Sequence, residues 1–151
     1  MNIDIRAMEE PVSEFQIQAV EQRLGIVLPD AYKSHLLKHN GGIPKQRVFS
    51  FVEDGERTTS CIDWFMAICD GEHNNFEKSY RRYRKRMPVN LTPIARDPGG
   101  NQICMSLGGD DAGSIYFWDH ETEADDGEPV TYKNCYLIAK SFEEFIAGLT
   151  E

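Results

Sequence analysis

Apolar residues recur along this chain in two registers, and the changes between them mark out its elements. Ile17, Val20 and Leu24 fall at i, i+3 and i+7, the spacing of one helical face. Ser13 with Gln16 three residues on fits a capping box, Val12 can meet Ile17 as a hydrophobic staple, and Gly25 stands where a left-handed residue ends a helix. A helix is therefore predicted over residues 14–24. Pro29 starts a second helix, since its missing N–H costs nothing in the first turn; Tyr32, Leu36 and Leu37 supply its buried stripe, and Asn40-Gly41-Gly42 ends it. A third, capped by Asn74 or Asn75, carries Phe76, Tyr80, Tyr83 and Met87 at i, i+4, i+7 and i+11 and stops at Pro88. Ser141 with Glu144 makes another capping box, ahead of Phe142, Phe145, Ile146 and Leu149 on a terminal helix.

Elsewhere the period drops to two. Residues 93–121 read as a meander. Asp97-Pro98-Gly99-Gly100-Asn101 is a turn cluster, Ile103, Met105 and Leu107 line one face of the next strand, residues 108–113 reverse the chain, and residues 114–118 form a strand rich in β-branched and aromatic side chains. Val48, Phe49, Phe51 and Val52 suggest a strand, residues 53–56 a turn and residues 58–62 a second strand. Asp63 is read as the cap of a short helical turn through Trp64, Phe65 and Ile68, although so short an apolar run does not separate strand from buried helix. After an acidic connection at residues 122–128, residues 130–133 and 136–139 are expected to pair as short strands around Asn134. Residues 1–11 yield no assignment. This order of elements predicts an α+β fold, a mainly antiparallel central sheet with helices packed on it, in a single domain spanning residues 1–151.

Composition narrows the class. A chain of 151 residues buries roughly 70% of its unfolded surface without disulfides. Its 40% hydrophobic content excludes general disorder. No apolar run approaches the roughly 20 residues of a membrane span, and the N-terminus lacks the pattern of a secretory signal, so a cytoplasmic location and no membrane partner are expected. Cys61, Cys69, Cys104 and Cys135 contain no C-x-x-C pair and read as free, buried thiols rather than a zinc site or a disulfide framework.

Charge changes the picture more. Between Asp97 and Tyr132 stand nine acids (Asp97, Asp110, Asp111, Asp119, Glu121, Glu123, Asp125, Asp126 and Glu128) and no Lys or Arg, so this interval holds the whole net charge of −9. The expectation is a strongly negative margin at one end of the sheet, against the commoner alternative of a bare solvated surface. The third helix is the counterpoint, with Lys78, Arg81, Arg82, Arg84, Lys85 and Arg86 beside its tyrosines. A solvated basic face is the preferred reading over a nucleic-acid surface, because the rest of the chain would repel phosphates.

No catalytic motif stands out, and neither a cofactor nor a resident metal is expected. The Gly99-Gly100 and Gly108-Gly109 pairs precede strands and lack a P-loop lysine, Trp118-Asp119-His120-Glu121 is not H-E-x-x-H, and Asp110-Asp111 fails EF-hand spacing. His35 and His39 have metal-capable i, i+4 spacing but no third ligand nearby in sequence, so solvent exposure or local capping is the expectation. His120, flanked by Asp119 and Glu121, is a candidate pH sensor; an exposed histidine without that role is the commoner case. A hydrolase using Asp97 and His120 would require a pocket that unites them.

Three stretches carry a family resemblance. Leu24-Gly25-Ile26-Val27-Leu28-Pro29-Asp30-Ala31-Tyr32 with His39-Asn40-Gly41-Gly42 resembles the L-G-x-x-L-P-x-x-Y and N-G-G helix pair of the SUKH superfamily, the Smi/Knr-like domain. Pro93-Ile94-Ala95, Asp97, Gly99-Gly100-Asn101 and residues 113–121 resemble its central strands, with the G-G-N turn and the terminal W-D-H-E; residues 141–149 resemble its closing S-F-x-x-F helix. The basic helix lies outside these motifs. The resemblance implies an α+β fold and a non-enzymatic domain that binds and neutralises a cognate bacterial toxin. Joined to the charge pattern, it predicts an immunity protein whose acidic edge of Asp97, Asp110, Asp111, Asp119, Glu121, Glu123, Asp125 and Asp126 meets a basic toxin surface, possibilities including a nuclease. Trp118 is the candidate aromatic anchor if its face is exposed, and a core tryptophan otherwise. The alternative is a regulatory or scaffold domain with an endogenous protein partner and no toxin.

Overall fold

The computed structural model describes residues 3–151. In chain order its elements are β1 (Ile5–Arg6), α1 (Glu14–Leu24), α2 (Asp30–Lys38), β2 (Ile43–Pro44), β3 (Val48–Glu53), β4 (Glu56–Cys61) and β5 (Trp64–Phe65). They are followed by α3 (Phe76–Tyr83), β6 (Leu91–Arg96), β7 (Gln102–Ser106), β8 (Ile115–Trp118), a 3-10 turn (His120–Thr122), β9 (Cys135–Ala139) and α4 (Phe142–Gly148). The fold is the α+β arrangement that the residue pattern predicts. Strands β5-β6-β7-β8-β9 form an antiparallel meander in that spatial order, β3 and β4 form a hairpin whose first strand lies against β9, and β1 pairs with β2.

Local chemistry explains the helix ends. Ser13 Oγ accepts from Gln16 N while Gln16 Oε1 accepts from Ser13 N, and Gly25 takes φ 69° to close α1. Ser141 Oγ caps α4 by accepting from Glu144 N. Pro29 stands one position before the helix rather than in its first turn, as the N-cap of α2. Asn75 caps α3, which ends at Tyr83 instead of continuing to Met87: Arg86 N donates to the Tyr83 carbonyl, tightening the chain so that Met87 turns inward.

Alternation along β7 places Ile103 and Met105 on the face that packs beneath α1, α2 and α4, together with Ile17, Val20, Leu28, Tyr32, Leu36 and Phe145. Phe49 and Phe51 of the hairpin complete this core against Phe117, the Phe51 and Phe117 rings stacking at 4.5 Å. The opposite face is also covered. Cys104 and Trp118 pack there with Met87 and Leu91, so every residue of β7 is buried. Leu107 lies past the end of the strand, half-buried, its N–H donating to the Asn90 carbonyl. Pro93 has no N–H to give the ladder, and the register shifts between Pro93 and Ala95 as a bulge.

Three assignments are corrected. Trp64 and Phe65 form an edge strand, not a helical turn, because the Asp63 and Met66 N–H groups bond the Arg96 and Ile94 carbonyls and the alternation sends Phe65 into the core. Residues 130–133 form no strand; Cys135 N closes a turn onto the Tyr132 carbonyl, and β9 pairs with β8 instead. His35 is neither exposed nor a cap. It is 8% exposed, lies within 5.1 Å of Phe65 and 5.0 Å of Phe142 between ring centroids, and its Nε2 has no hydrogen-bond partner among the described residues.

Burial, with a smaller effect of neighbouring His39, pushes the His35 pKa down to about 3 from its ordinary 6.5. The native state therefore stays neutral at pH values where the unfolded chain binds a proton. Above about pH 6.5 the residue has no effect, and as pH falls from there toward 3 stability declines by up to roughly 1.4 kcal/mol per pH unit. His35→Phe keeps the ring contacts and removes the titration. Urea unfolding of this variant is expected to show a flatter stability profile between pH 6.5 and 4.5 than the parent; equal slopes would contradict the assignment.

Candidate functional site

The acids that crowd the sequence between residues 97 and 132 occupy three connections of the meander, and the strand register decides where each one lies. Gln102 opposes Trp118 and Met105 opposes Ile115. The turn bearing Asp97 and the segment beginning at Asp119 thus share one end of the sheet, while Asp110 and Asp111 lie at the other. The expected single margin is corrected to two, because successive turns of a meander alternate ends.

Asp97 is buried and binds its own turn. Its Oδ1 accepts from Gly99 N at 2.9 Å and Asn101 N at 2.8 Å, and its Oδ2 accepts from Asn101 Nδ2 at 2.9 Å and Ser60 Oγ at 3.1 Å. This fixes the β6–β7 turn and ties it to the β3–β4 hairpin. His120 braces the same turn from the other side, its Nε2–H donating to the Gly99 carbonyl at 2.8 Å, while its backbone N–H donates to Asn101 Oδ1. Asp97 and His120 thus approach one loop without bonding to each other. With each Asp97 oxygen engaged by two donors, Asp97 is committed to holding its turn.

Asp111 braces the opposite turn. Its Oδ1 accepts from Ser106 Oγ at 2.8 Å, and its Oδ2 from Tyr116 Oη at 2.7 Å and Tyr132 Oη at 3.1 Å. Burial works against its charge, but the Tyr116, Ser106 and Tyr132 hydroxyls outweigh that effect and hold the carboxyl below the usual carboxylate range. Burial, and then the Asp111 carboxylate, push the Tyr132 hydroxyl up to about 12. No spacing rule in the sequence announces this cluster, since Ser106 ends β7, Asp111 lies in the following turn, Tyr116 in β8 and Tyr132 in the β8–β9 connection.

The β8–β9 connection is closed at its base, where Asp119 N donates to the Asn134 carbonyl and Asn134 Nδ2 to the Asp119 carbonyl. Asp119 Oδ1 also caps the 3-10 turn through Glu121 N. Glu123 forms a two-pronged pair with Arg86, at 2.7 Å and 3.1 Å, and Arg86 in turn lies over the rings of Tyr83 and Trp118. Trp118 itself is 0% exposed and edge-on to Tyr83. Its expected role as an exposed anchor is corrected to that of a buried wedge under α3. Of the candidate acids, Asp110, Glu121, Asp125 and Asp126 remain open to solvent.

Three of the six cations on the basic segment, Lys78, Arg81 and Arg86, are paired with carboxylates. Glu77 pairs with both Arg23 and Arg81, Glu72 with Lys78 and Glu123 with Arg86. Among the described residues no three His, Cys, Asp or Glu side chains are grouped to hold a metal ion, and no helix is long and apolar enough to cross a membrane. All four cysteines are free; burial raises the Cys104 thiol well above its ordinary range, leaving it a poor nucleophile.

A sequence model of the SMI1/KNR4 family (SUKH-1) matches residues 11–148. The chain is also 32% identical over 152 residues to the SPbeta prophage-derived uncharacterized protein YokK of Bacillus subtilis (strain 168), a match covering 90% of this chain and 73% of that protein.

The division between bracing and open carboxylates has a direct consequence for stability. Asp97→Ala removes, at a buried position, the acceptor of four hydrogen bonds that hold an otherwise exposed turn, and is expected to cost about 3 kcal/mol in chemical denaturation, whereas exposed Asp110→Ala should stay within about 0.5 kcal/mol of the parent. Comparable losses in the two variants would contradict the assignment.

Proposed function

The chain belongs to the SMI1/KNR4 family (SUKH-1), and from that premise we propose that it is an immunity protein that binds and neutralises a cognate bacterial toxin through its exposed carboxylates. The observation that carries this reading is the set Asp110, Glu121, Asp125 and Asp126, open to solvent within an interval that contains no Lys or Arg. Asp97, Asp119 and Glu123 fix the turn and the connection at the end of the sheet where Glu121 lies, and Asp111 fixes the turn that presents Asp110 at the opposite end.

Carboxylates exposed in this way suit a partner with a basic face. Opposite charge steers encounter and raises the association rate, while short-range contacts set the lifetime of the complex. A toxin that acts on nucleic acid carries a cationic substrate cleft, and an acidic protein seated there would both bind tightly and exclude the substrate. Binding rather than catalysis is the reading favoured by the engaged state of Asp97 and the inert burial of Cys104.

The test is co-expression with the products of the neighbouring genes, followed by kinetics on the pair that co-purifies. Asp110→Lys combined with Asp125→Lys and Asp126→Lys is expected to lower the association rate about tenfold at low salt and to abolish protection of cells expressing the toxin. The parent association rate should fall steeply with added salt. An association rate indifferent to both salt and charge reversal would overturn the acidic surface; failure to bind any of the neighbouring products would favour a scaffold with an endogenous partner.

A further inference from the structure

A row of side chains crosses four strands on the second face of the sheet. Trp64 opposes Arg96, Arg96 opposes Gln102, and Gln102 opposes Trp118; directly opposed residues of antiparallel strands share a face. Trp118, at one end of the row, is covered by Tyr83 and Arg86. The other three form the floor of an open cleft of about 540 Å³, walled by Lys78, Arg82 and Tyr83 of α3 and by residues 72–74. That volume falls within the roughly 300–1,000 Å³ of small-molecule sites.

The charge of this cleft is opposite to that of the chain. Lys78, Arg82 and Arg96 line it against Glu72 alone. Arg96 is held in place by Asp63 at 3.1 Å and Asn74 Oδ1 at 2.7 Å, and Lys78 by Glu72 at 2.6 Å. Arg82 is exposed and takes part in none of the ion pairs among the described residues. On the floor, Gln102 is 3% exposed, yet its Oε1 has no hydrogen-bond partner among the described residues. Buried amides are almost always satisfied, and an exception lining a cleft marks a place for a donor from outside the chain. A free cation, an unpaired amide carbonyl and two aromatic rings together match a ligand that combines a phosphate with a planar, amino-bearing ring.

We propose that this cleft binds a nucleoside phosphate. The phosphate is held at Arg82 with Lys78 behind it, the base lies against Trp64 and Tyr83, and an exocyclic amino group of the base donates to Gln102 Oε1. The site is independent of the acidic surface and of any toxin.

The experiment titrates the 151-residue chain with AMP, CMP, GMP, UMP and inorganic phosphate, following calorimetry and tryptophan fluorescence. At least one amino-bearing nucleotide should saturate and change the fluorescence, and that change should vanish in Trp64→Phe. UMP, which lacks the amino group, should bind more weakly. Arg82→Ala, at an exposed position, should leave the thermal midpoint unchanged and weaken nucleotide binding about tenfold. Absence of saturable binding up to about 10 mM would overturn the proposal, as would inorganic phosphate binding as tightly as the nucleotides, UMP matching them, or an Arg82→Ala variant with parental affinity.

Discussion

Burial of both faces of β7 is the constraint from which the rest of the molecule follows. A strand covered on one side only would leave Gln102, Cys104 and Ser106 in water, and nothing would oblige the chain beyond α3 to return across the sheet. Here Ile103 and Met105 seat the helices and Cys104 seats Met87, with the two sulfurs 3.8 Å apart. Residues 84–90 and the β8–β9 connection are thereby brought over the second face, where Arg86 joins them by gripping Glu123 while lying on Tyr83 and Trp118. Cation, rings and carboxylate close the β8 end of this face beside α3.

From this closure follows the division of labour among the carboxylates. A meander held rigidly on both faces still leaves its turns free to fray, and the chain answers by spending Asp97 and Asp111 on them. Each accepts bonds from its own turn and from a neighbouring element, Ser60 for Asp97 and Tyr132 for Asp111. The acids left over project from turns whose backbone is already fixed, so little conformational entropy remains to be lost when a partner meets them. Negative charge and structural order are therefore linked here, although the acids that supply order are not those that face solvent.

Much of the fold was legible because it is written locally. The capping box at Ser13, the glycine ending α1 and the period-two run through β7 and β8 are each decided within a few residues and form as read, whereas at Ser141 only the serine half of the box forms, the Glu144 carboxylate accepting from Lys140 N instead. What could not be read was decided by distant partners. Trp64 and Phe65 are a strand because Arg96 and Ile94 offer carbonyls, Tyr132 leaves the sheet for Asp111, and His35 is buried because Phe65 and Phe142 close over it. The acidic interval misled for a topological reason: consecutive turns go to opposite ends of the sheet whenever a single strand intervenes. Trp118 gave no local signal of which face it would take, since the side chains that bury it, Tyr83 and Met87, lie some thirty residues earlier.

Amide hydrogen exchange, resolved to single residues, tests the central claim that internal carboxylates turn the acid-rich connections into rigid parts of the sheet. The amides of Gly99 and Asn101, which donate to Asp97 Oδ1 at 2.9 Å and 2.8 Å, are expected to show protection within about a factor of ten of the β7 amides. Exchange of these two amides at the rate of an unstructured peptide, with β7 still protected, would contradict it.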